Sequence, residues 1–276
     1  MNDALQGMLF GTITDDEAEN EDPTGELRIC ALNVNSPSLD RAQRLVTWLV
    51  KTRCNTLVLT EMQPSDGGLH ILACLTAEGF TTTCAPGWQD SRYFAAIATR
   101  YVATTPVRPA GFDPRIVAVD LATGDLAARL VGVYSLTNGM TAESSQRRRV
   151  FQHRLLDYLA QVAGPGLCIA GDLNVVEPDH RPHLPAFEQH DYAFYTGMLS
   201  LGLRDAYREL NPLGQDHSWT SPRLGGQRLD HCLVGAAAGT IRTCTYDYTT
   251  QQENLSDHAA LLTVIGPRET KAVTQR

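Results

Sequence analysis

Polar side chains of a few chemical types recur at the points where strand-like apolar runs of this chain end. They are amides, carboxylates, a phenol and an imidazole, and each lies next to a run rich in Val, Leu or Ile. Because strand ends at one rim of a sheet lie close together, the pattern predicts a single convergent polar site. Its predicted members are Asn33, Asn35, Glu61, Tyr134, Asp172, Asn174, Asp230, Asp257 and His258.

Metal-assisted hydrolysis of a phosphoester is the chemistry that these side chains support. Glu61 and Asp257 are hard oxygen ligands of the kind that hold Mg²⁺ together with waters and phosphate oxygens. Such an ion polarises a phosphoryl group and offsets charge on the leaving oxygen. Asp172 can orient or deprotonate an attacking water, and Asn174 can fix the position of that water by a side-chain hydrogen bond.

The remaining polar groups are suited to binding the phosphoryl oxygens. Asp230 can hold His258 in one tautomer, so that the imidazole donates a hydrogen bond as charge develops on the phosphoryl group. Tyr134 can donate in the same way, and Asn33 completes the cradle. We therefore expect water, rather than a protein side chain, to be the nucleophile.

Strand-like and helical runs alternate along the chain after residue 26. LRICALNVN is rich in β-formers, and SPSLDRAQRLVTWLVKT has a Ser-Pro start followed by apolar residues at helical spacing. Further strands are predicted at NTLVLTE, FTTTCAP, RYFAAIATR, RIVAVDL, LAARLVGVYS, GLCIAGDLN, QRLDHCLVG, IRTCTYD and HAALLTVIG. Further helices are predicted at TAESSQRRRVFQHRLLDYLAQVA, DYAFYTGMLSLG and LRDAYREL. The pattern predicts one α/β domain over residues 27–266, with two packed sheets flanked by helices and a tail at 267–276.

Acidic residues are concentrated at the start of the chain. Residues 1–26 contain eight acids and no Lys or Arg, whereas the whole chain has 31 acids and 23 bases. Residues 27–276 are therefore neutral, and the segment 1–26 is typical of a solvated, flexible arm. Two other interpretations stay open: the arm competes with a polyanionic ligand for a basic face, or its apolar stretch MLFGTIT adds a strand.

Composition excludes several other classes of protein. The seven cysteines form no C-x-x-C pair, which argues against a disulfide framework or a cysteine zinc site. The sequence has no G-x-S-x-G and no G-x-x-x-x-G-K-[ST], the motifs of α/β-hydrolases and P-loop NTPases. No apolar run is long enough to span a bilayer, and the start lacks the pattern of a secretory signal. We expect a cytoplasmic monomer that does not bind membranes.

Six short motifs resemble, in sequence order, those of the endonuclease/exonuclease/phosphatase superfamily, which includes deoxyribonuclease I, exonuclease III and abasic-site endonucleases. They are LNVN, LTE, VYS, GDLN, RLDH and SDH, and the resemblance covers residues 27–265. It implies the four-layer α/β sandwich of deoxyribonuclease I, with Mg²⁺ or Mn²⁺ at the site. It also implies catalytic or metal-binding roles for Asn33, Glu61, Tyr134, Asp172, Asn174, Asp230, Asp257 and His258. Asn35 falls at a position where some members carry an acid, and is expected beside the metal.

The segment LGLRDAYRELNP, followed by HSWTSP and RLDH, resembles the exonuclease III and abasic-endonuclease branch. Trp219 matches an aromatic residue of that branch and can stack on a sugar or base; alternatively it anchors its loop in the core. SPSLDR stands where the branch usually has Gly-Leu-Arg, and the loop PRLGGQ lacks a second bulky residue. Specificity for abasic sites therefore stays open.

An arginine cluster suggests nucleic acid as the substrate. Arg147 and Arg148 lie in one predicted helix, and Arg suits bidentate phosphate contacts. A neutral body predicts modest, salt-dependent affinity. The loop EPDHRPHLPAFEQHDYAFY contains three histidines and is interpreted as a plain surface loop rather than as a second metal site.

Three functions follow. The leading hypothesis is a metal-dependent nuclease acting on DNA in preference to RNA. The second keeps fold and metal but acts on a small phosphorylated metabolite or headgroup. The third is a non-catalytic nucleic-acid-binding scaffold, which is disfavoured because no core motif residue is replaced by an inert one.

Overall fold

The computed structural model describes residues 25–104, 114–123, 126–137, 141–164 and 166–268. Almost all of the predicted acidic arm (1–26), including MLFGTIT, and most of the predicted tail (267–276) lie outside these ranges. The arm and the tail therefore stay predictions.

Strands and helices alternate along the described chain much as the sequence predicts. The strands are β1 (Leu27–Asn33), β2 (Thr56–Met62), β3 (Thr81–Cys84), β4 (Phe94–Thr99), β5 (Ala103–Thr104), β6 (Ile116–Thr123), β7 (Leu126–Tyr134), β8 (Leu167–Asp172), β9 (Leu203–Asp205), β10 (Trp219–Ser221), β11 (Gly225–Gln227), β12 (Asp230–Gly235), β13 (Thr240–Asp247) and β14 (Ala260–Gly266). The helices are α1 (Leu39–Lys51), α2 (Asp66–Ala77), α3 (Ala142–Val162), α4 (Gln189–Ser200), α5 (Ala206–Leu210) and α6 (Thr249–Gln252). None of these helices is long and apolar enough to cross a membrane.

Two mixed sheets of six strands form the centre of the structure. The first sheet has the order β13-β14-β1-β2-β4-β3, and the second has the order β5-β6-β7-β8-β12-β9. Strands β10 and β11 form a separate hairpin. In the first sheet β1 and β2 are parallel, and in the second β7 and β8 are parallel. The carboxyl ends of these strands carry the polar residues predicted to converge.

Apolar residues separate four layers. Ile29, Val58 and Ile97 of the first sheet pack against Val119 and Leu130 of the second. Helices α1 and α2 contribute to a second apolar cluster on the outer face of the first sheet. Helices α3 and α4 contribute to a third cluster on the second sheet. This arrangement confirms the predicted α/β sandwich of deoxyribonuclease I type.

Local sequence explains where α1 begins and which face it buries. The side chain of Ser38 accepts a hydrogen bond from the backbone N–H of Arg41 and caps the helix. Leu45, Val46 and Leu49 are buried on one face of α1. The apolar spacing read from the sequence is therefore the face that packs on the first sheet.

Other elements differ from the sequence prediction for identifiable reasons. Helix α2 was not predicted because it begins Asp-Gly-Gly, and glycine has weak helix propensity. Close packing on neighbouring backbone requires glycine there, since a Cβ on Gly67 would lie 2.0 Å from the Pro37 carbonyl oxygen. The segment LRDAYREL was predicted as one helix, but its start pairs with β12 as β9. Helix α5 follows only after Asp205, whose side chain caps it.

Gly171 lies at the carboxyl end of β8, where this strand approaches the neighbouring strand β7 closely. Its φ is +129°, and a Cβ there would lie 2.3 Å from the Val133 carbonyl oxygen. We expect Gly171→Ala to lower the free energy of unfolding by roughly 3 kcal/mol, since left-handed strain adds to overpacking. Chemical denaturation measures the loss.

Gly202 provides the matched control. Its φ is +84°, but nothing lies within 4 Å of the added Cβ. Gly202→Ala should therefore cost only about 1 kcal/mol of backbone strain. Equal losses in the two variants would contradict the close approach of β7 and β8.

Candidate active site

Strand pairing brings the predicted polar residues to one edge of the two sheets. In the first sheet, Asn33 at the end of β1 is paired with Thr60, next to Glu61 on the parallel strand β2. In the second sheet, Asp172 is paired with Tyr134 on one side and with Asp230 on the other. The predicted convergence therefore follows from the register of both sheets.

Asn33 links the two sheets across the site. Its Nδ2 donates to Asp172 Oδ2 at 2.9 Å and to Glu61 Oε2 at 3.1 Å. Tyr134 also donates its hydroxyl to Glu61 Oε2, at 3.0 Å. Burial raises the pKa of Tyr134 well above its usual range, so the phenol stays a neutral donor. One amide thus fixes two carboxylates that belong to different sheets.

Left-handed backbone conformations aim several of these side chains. Asn35, Ser36, Glu61 and Asn174 all have φ near +50°, which is uncommon for residues other than glycine. At Glu61 the pairing of β2 with β4 is interrupted between Leu59 and Met62, as at a β-bulge. Bulges re-aim side chains next to active sites. The strain is therefore concentrated in the segments that carry the polar groups.

Asn174 positions the Asp172 carboxylate. The Asn174 backbone N–H donates to Asp172 Oδ1 at 2.9 Å, and its Nδ2 lies 3.2 Å from Asp172 Oδ2. The same Nδ2 donates to the Ser135 carbonyl at 3.0 Å. Asp172 and Asn174 are both buried. The carboxylate is therefore held in one orientation before any substrate arrives.

His258 and Asp230 form a buried ion pair. His258 Nδ1 lies 2.7 Å from Asp230 Oδ2. Burial opposes the charged imidazole, but the adjacent Asp230 carboxylate outweighs it and raises the pKa of His258 to about 9. The imidazole is therefore a cation at neutral pH, able to donate from Nε2 to an anionic substrate.

Two serines that were not singled out from the sequence hold this pair in place. Ser256 Oγ donates to the Asn33 carbonyl at 2.6 Å and accepts from the His258 backbone N–H at 3.1 Å. Ser218 Oγ accepts from the backbone N–H of Asp230 at 3.0 Å. Ser256 could have been found because it belongs to the SDH motif. Nothing in the sequence HSWTSP indicates a structural role for Ser218.

Asp172 has the properties of a general base. Burial and the nearby Asp230 carboxylate raise the pKa of Asp172 to about 7, although His258 and the bonds from Asn33 and Asn174 oppose the shift. A base with a pKa near neutrality accepts a proton efficiently at that pH. Its Oδ2 already faces the amides that would orient a water.

The donor set fits a hard divalent cation at two places. Glu61 Oε1 faces Ser36 Oγ at 3.4 Å, which leaves it able to bind a cation. Ligand atoms of Asp172, Asp230 and His258 also lie within 4.8 Å of one another. Asp230 Oδ1 is buried without a hydrogen-bond partner in the described part of the chain. A protonated His258 cannot be a metal ligand, so the chemistry favours Glu61.

The structure places the predicted flanking residues at the rim of this site. Asp257 is exposed and accepts a hydrogen bond from Trp219 Nε1 at 3.0 Å. The Trp219 ring lies 6.5 Å from His258 between centroids and is partly buried. Asn35 donates its backbone N–H to Asn33 Oδ1 at 2.9 Å, and its carbonyl accepts from Arg41. Their metal- and substrate-binding roles stay predictions.

Arg148 does not lie where the sequence analysis placed it. Its side chain is 1% exposed and pairs with buried Asp191 at 2.8 Å. The prediction that Arg148 contacts substrate is therefore wrong, because its helical face turns inward. Arg147, on the same helix, is exposed, and its role in binding stays a prediction.

The histidines of the connection from β8 to α4 and of the first turn of α4 lie apart from the cluster of Asp172, Asp230 and His258 that could bind a metal. His180 Nε2 lies 3.2 Å from the Gly226 carbonyl oxygen, and His190 Nδ1 lies 2.8 Å from Gln152 Oε1. In the described residues these histidines form no metal-fitting group.

Comparisons with known proteins agree with this geometry. The model of the endonuclease/exonuclease/phosphatase family matches residues 30–258. A 3′ phosphatase from Neisseria, NExo, bound to a product DNA hairpin, is similar with 21% identity and a TM-score of 0.72, over 86% of this chain and 98% of that chain. An AP endonuclease from Archaeoglobus fulgidus has 20% identity and a TM-score of 0.73, over 87% and 99%. The AP endonuclease LMAP from Leishmania major has 19% identity and a TM-score of 0.70, over 89% of each chain.

At these identities the solved structures establish the fold alone. A search of curated proteins finds no match. The family match covers most of the chain and includes the motifs from LNVN to SDH.

The raised pKa of Asp172 predicts a gain in stability on neutralisation. The pKa is 3.8 in its ordinary state and about 7 in the folded chain. As pH rises, the unfolded chain loses this proton first, so Asp172 lowers stability progressively from about pH 4 to pH 7 and fully above that. With chelator present, Asp172→Asn should melt above the parent protein at pH 8, and the gain should shrink toward pH 4.

Differential scanning calorimetry at both pH values measures this difference. Asp179→Asn, at an exposed acid of the following loop, should change the melting temperature little. A lower melting temperature for Asp172→Asn at pH 8 would contradict the buried like-charge pair.

Proposed function

Since the chain belongs to the endonuclease/exonuclease/phosphatase family, we propose that it is a divalent-metal-dependent phosphodiesterase that cleaves DNA by attack of water. The observation that carries this proposal is the placement of Asp172 next to the Asp230–His258 pair. Asn33 and Asn174 orient the base, and a cationic imidazole lies beside it. Hydrolysis of a phosphodiester by water uses such a base to activate the water and such a cation to stabilise the charge that develops on the phosphoryl group.

The roles of the side chains follow from their hydrogen bonds. Asp172 accepts the proton of a water that Asn174 helps to orient. His258, kept cationic by Asp230, donates to a phosphoryl oxygen as negative charge develops. Tyr134 is a neutral donor on the opposite side. A bound Mg²⁺ or Mn²⁺, held by Glu61 and with Asp257 and Asn35 as the other proposed ligands, would polarise the phosphoryl group and stabilise the leaving oxygen.

Aromatic and cationic groups on both sides of the site support a polymeric substrate. Trp219 lies on the His258 side. On the Tyr134 side, the Tyr93 ring lies 5.9 Å from the Tyr134 ring, edge to face. The guanidinium groups of Arg92 and Arg115 lie 5.0 and 5.5 Å from the Tyr93 ring centroid. Arginine and aromatic side chains flanking a catalytic site suit a strand of phosphates and bases.

Two similar solved structures support DNA as that polymer, since one is described with a product DNA hairpin and another as an AP endonuclease. DNA is preferred to RNA on this ground. Binding to membranes is not part of the proposal, and we propose a cytoplasmic monomer. A scaffold without catalytic activity is disfavoured because base, cation and carboxylates all meet at one site.

Small phosphoesters are the second candidate substrate. A body without net charge favours this alternative, since acidic and basic side chains are equal in number over residues 27–276. A phosphorylated metabolite or headgroup would need the base, the cation and the metal ligands but not Tyr93 or Trp219.

A cleavage panel tests the proposed activity. Purified protein is offered single-stranded and duplex DNA, an abasic duplex, RNA and phosphorylated small molecules with Mg²⁺, Mn²⁺ or chelator. We expect DNA cleavage that chelator abolishes and that Asp172→Asn slows by about a hundredfold or more, as for loss of a general base. The chemical groups at the ends of the cleaved DNA identify the branch of the family to which the activity belongs.

Phosphate release from small substrates alone would support the second candidate. A metal-independent reaction, or full activity of Asp172→Asn, would remove the proposed mechanism.

The Tyr93 side of the site gives a test of polymer binding. We expect Arg92→Gln to raise KM for DNA and to reduce its dependence on salt by about one unit of logarithmic slope, as for one lost phosphate contact. Hydrolysis of bis(p-nitrophenyl) phosphate should be unchanged. Steady-state kinetics at several salt concentrations measure both effects.

Arg100 offers the matched control, since it follows the last residue of β4 while Arg92 precedes the first. Its guanidinium lies 4.2 Å from the Phe80 ring centroid, at the other end of β4. Arg100→Gln should leave KM for DNA unchanged. Equal effects of the two substitutions would show that Arg92 has no specific contact with the strand.

A further inference from the structure

Arg148 is a buried cation whose contacts all lead to one segment of the chain. Its Nη2 donates to the Asn174 carbonyl at 2.7 Å and pairs with Asp191 Oδ1 at 2.8 Å. Its guanidinium also lies 5.4 Å from the Phe187 ring centroid. Asn174 lies at the start of the connection from β8 to α4, Phe187 lies near its end, and Asp191 lies in the first turn of α4. One side chain of α3 therefore fixes both ends of this connection.

Asp191 is itself held by a buried network. Gln152 Nε2 donates to Asp191 Oδ1 at 2.8 Å, and the Glu188 backbone N–H donates to Asp191 Oδ2 at 2.9 Å. His190 Nδ1 lies 2.8 Å from Gln152 Oε1. Arg148, Gln152 and Asp191 are each at most 2% exposed. The guanidinium therefore has little freedom to move away from the Asn174 carbonyl.

Fold stability alone does not account for a charged pair at this place. A buried ion pair contributes little net stability compared with apolar residues of similar volume, because desolvation offsets the attraction. Asn174, however, has a left-handed backbone with a φ of +50° and holds Asp172 through two hydrogen bonds. A donor fixed on its carbonyl restrains the peptide plane that sets this conformation.

We propose that Arg148, through its ion pair with Asp191, is a positioning residue that holds Asn174 and hence the Asp172 base in catalytic geometry. This role rests on the proposed hydrolytic function of the site. Arg148 contacts no substrate and acts through the Asn174 carbonyl. The sequence suggested that Arg148 binds phosphate. In the structure its side chain instead contacts the Asn174 carbonyl, on the buried side of the Asp172 base.

The variant Arg148→Gln with Asp191→Asn removes both charges together, so that neither is left buried without its partner. Arg149→Gln on the exposed face of α3 is the control, since its guanidinium lies 3.5 Å from exposed Glu188. We call the contacts of Arg148 with the Asn174 carbonyl and with Asp191 the clamp. Hydrogen exchange of the peptide spanning 172–177 tests the clamp without any need for activity. We expect exchange to accelerate in the double variant and to stay at the parental rate in Arg149→Gln.

Kinetics then test whether the clamp acts through Asn174. We expect the double variant to lower kcat about tenfold or more with little change in KM, as for groups that orient a catalytic side chain. Adding Asn174→Ala to the double variant should lower kcat no further than Asn174→Ala alone. The single variant Arg148→Lys, which keeps a cation next to an unchanged Asp191, should have a kcat between those of the double variant and the parent protein.

The possible failures are distinguishable. An inactive parent protein with accelerated exchange in the double variant would remove the proposed function and keep the clamp. Parental exchange and parental kcat in a folded double variant would overturn the positioning role. Losses that multiply when Asn174→Ala is added would overturn it as well, because Arg148 would then act independently of Asn174.

Discussion

The burial of two carboxylates side by side is the constraint on which the rest of this structure depends. Asp172 and Asp230 are paired on adjacent strands and are both almost fully buried. Like charges in such a place are costly unless a cation and hydrogen-bond donors offset them. His258 supplies the cation, and Asn33 and Asn174 supply donors. Because the two carboxylates have different partners, they differ in role. Asp172 is a base with a raised pKa, and Asp230 is paired with the His258 imidazole.

Much of the fold could be predicted because its signals are local. Alternating apolar runs gave the strands, and the spacing of Leu45, Val46 and Leu49 gave helix α1. Helix α2 was hidden by Gly67 and Gly68, which are there because the helix packs tightly on neighbouring backbone. Strand β9 was hidden because its pairing with β12 is a tertiary contact, whereas LRDAYREL taken alone favours a helix.

The candidate site was predictable for the residues that end strands, since strand ends at one edge must meet. What could not be read was the direction of side chains on helix α3. Arg147 and Arg148 are equivalent in the sequence, yet one is exposed and the other buried. Ser218 was missed because its contact with the Asp230 backbone depends on the path of a loop. Arg92 and Tyr93 were read only as part of a strand, and their position beside Tyr134 follows from the packing of the two sheets.

The central claim is that the metal is held at Glu61 while the Asp230–His258 pair stays an ion pair. Anomalous diffraction from crystals of the protein containing Mn²⁺ tests this directly. We expect a manganese peak within coordination distance of the Glu61 carboxylate and none among Asp172, Asp230 and His258. A peak bound by His258 would contradict this assignment, because that imidazole would then be a neutral ligand rather than a cation that donates to a phosphoryl oxygen.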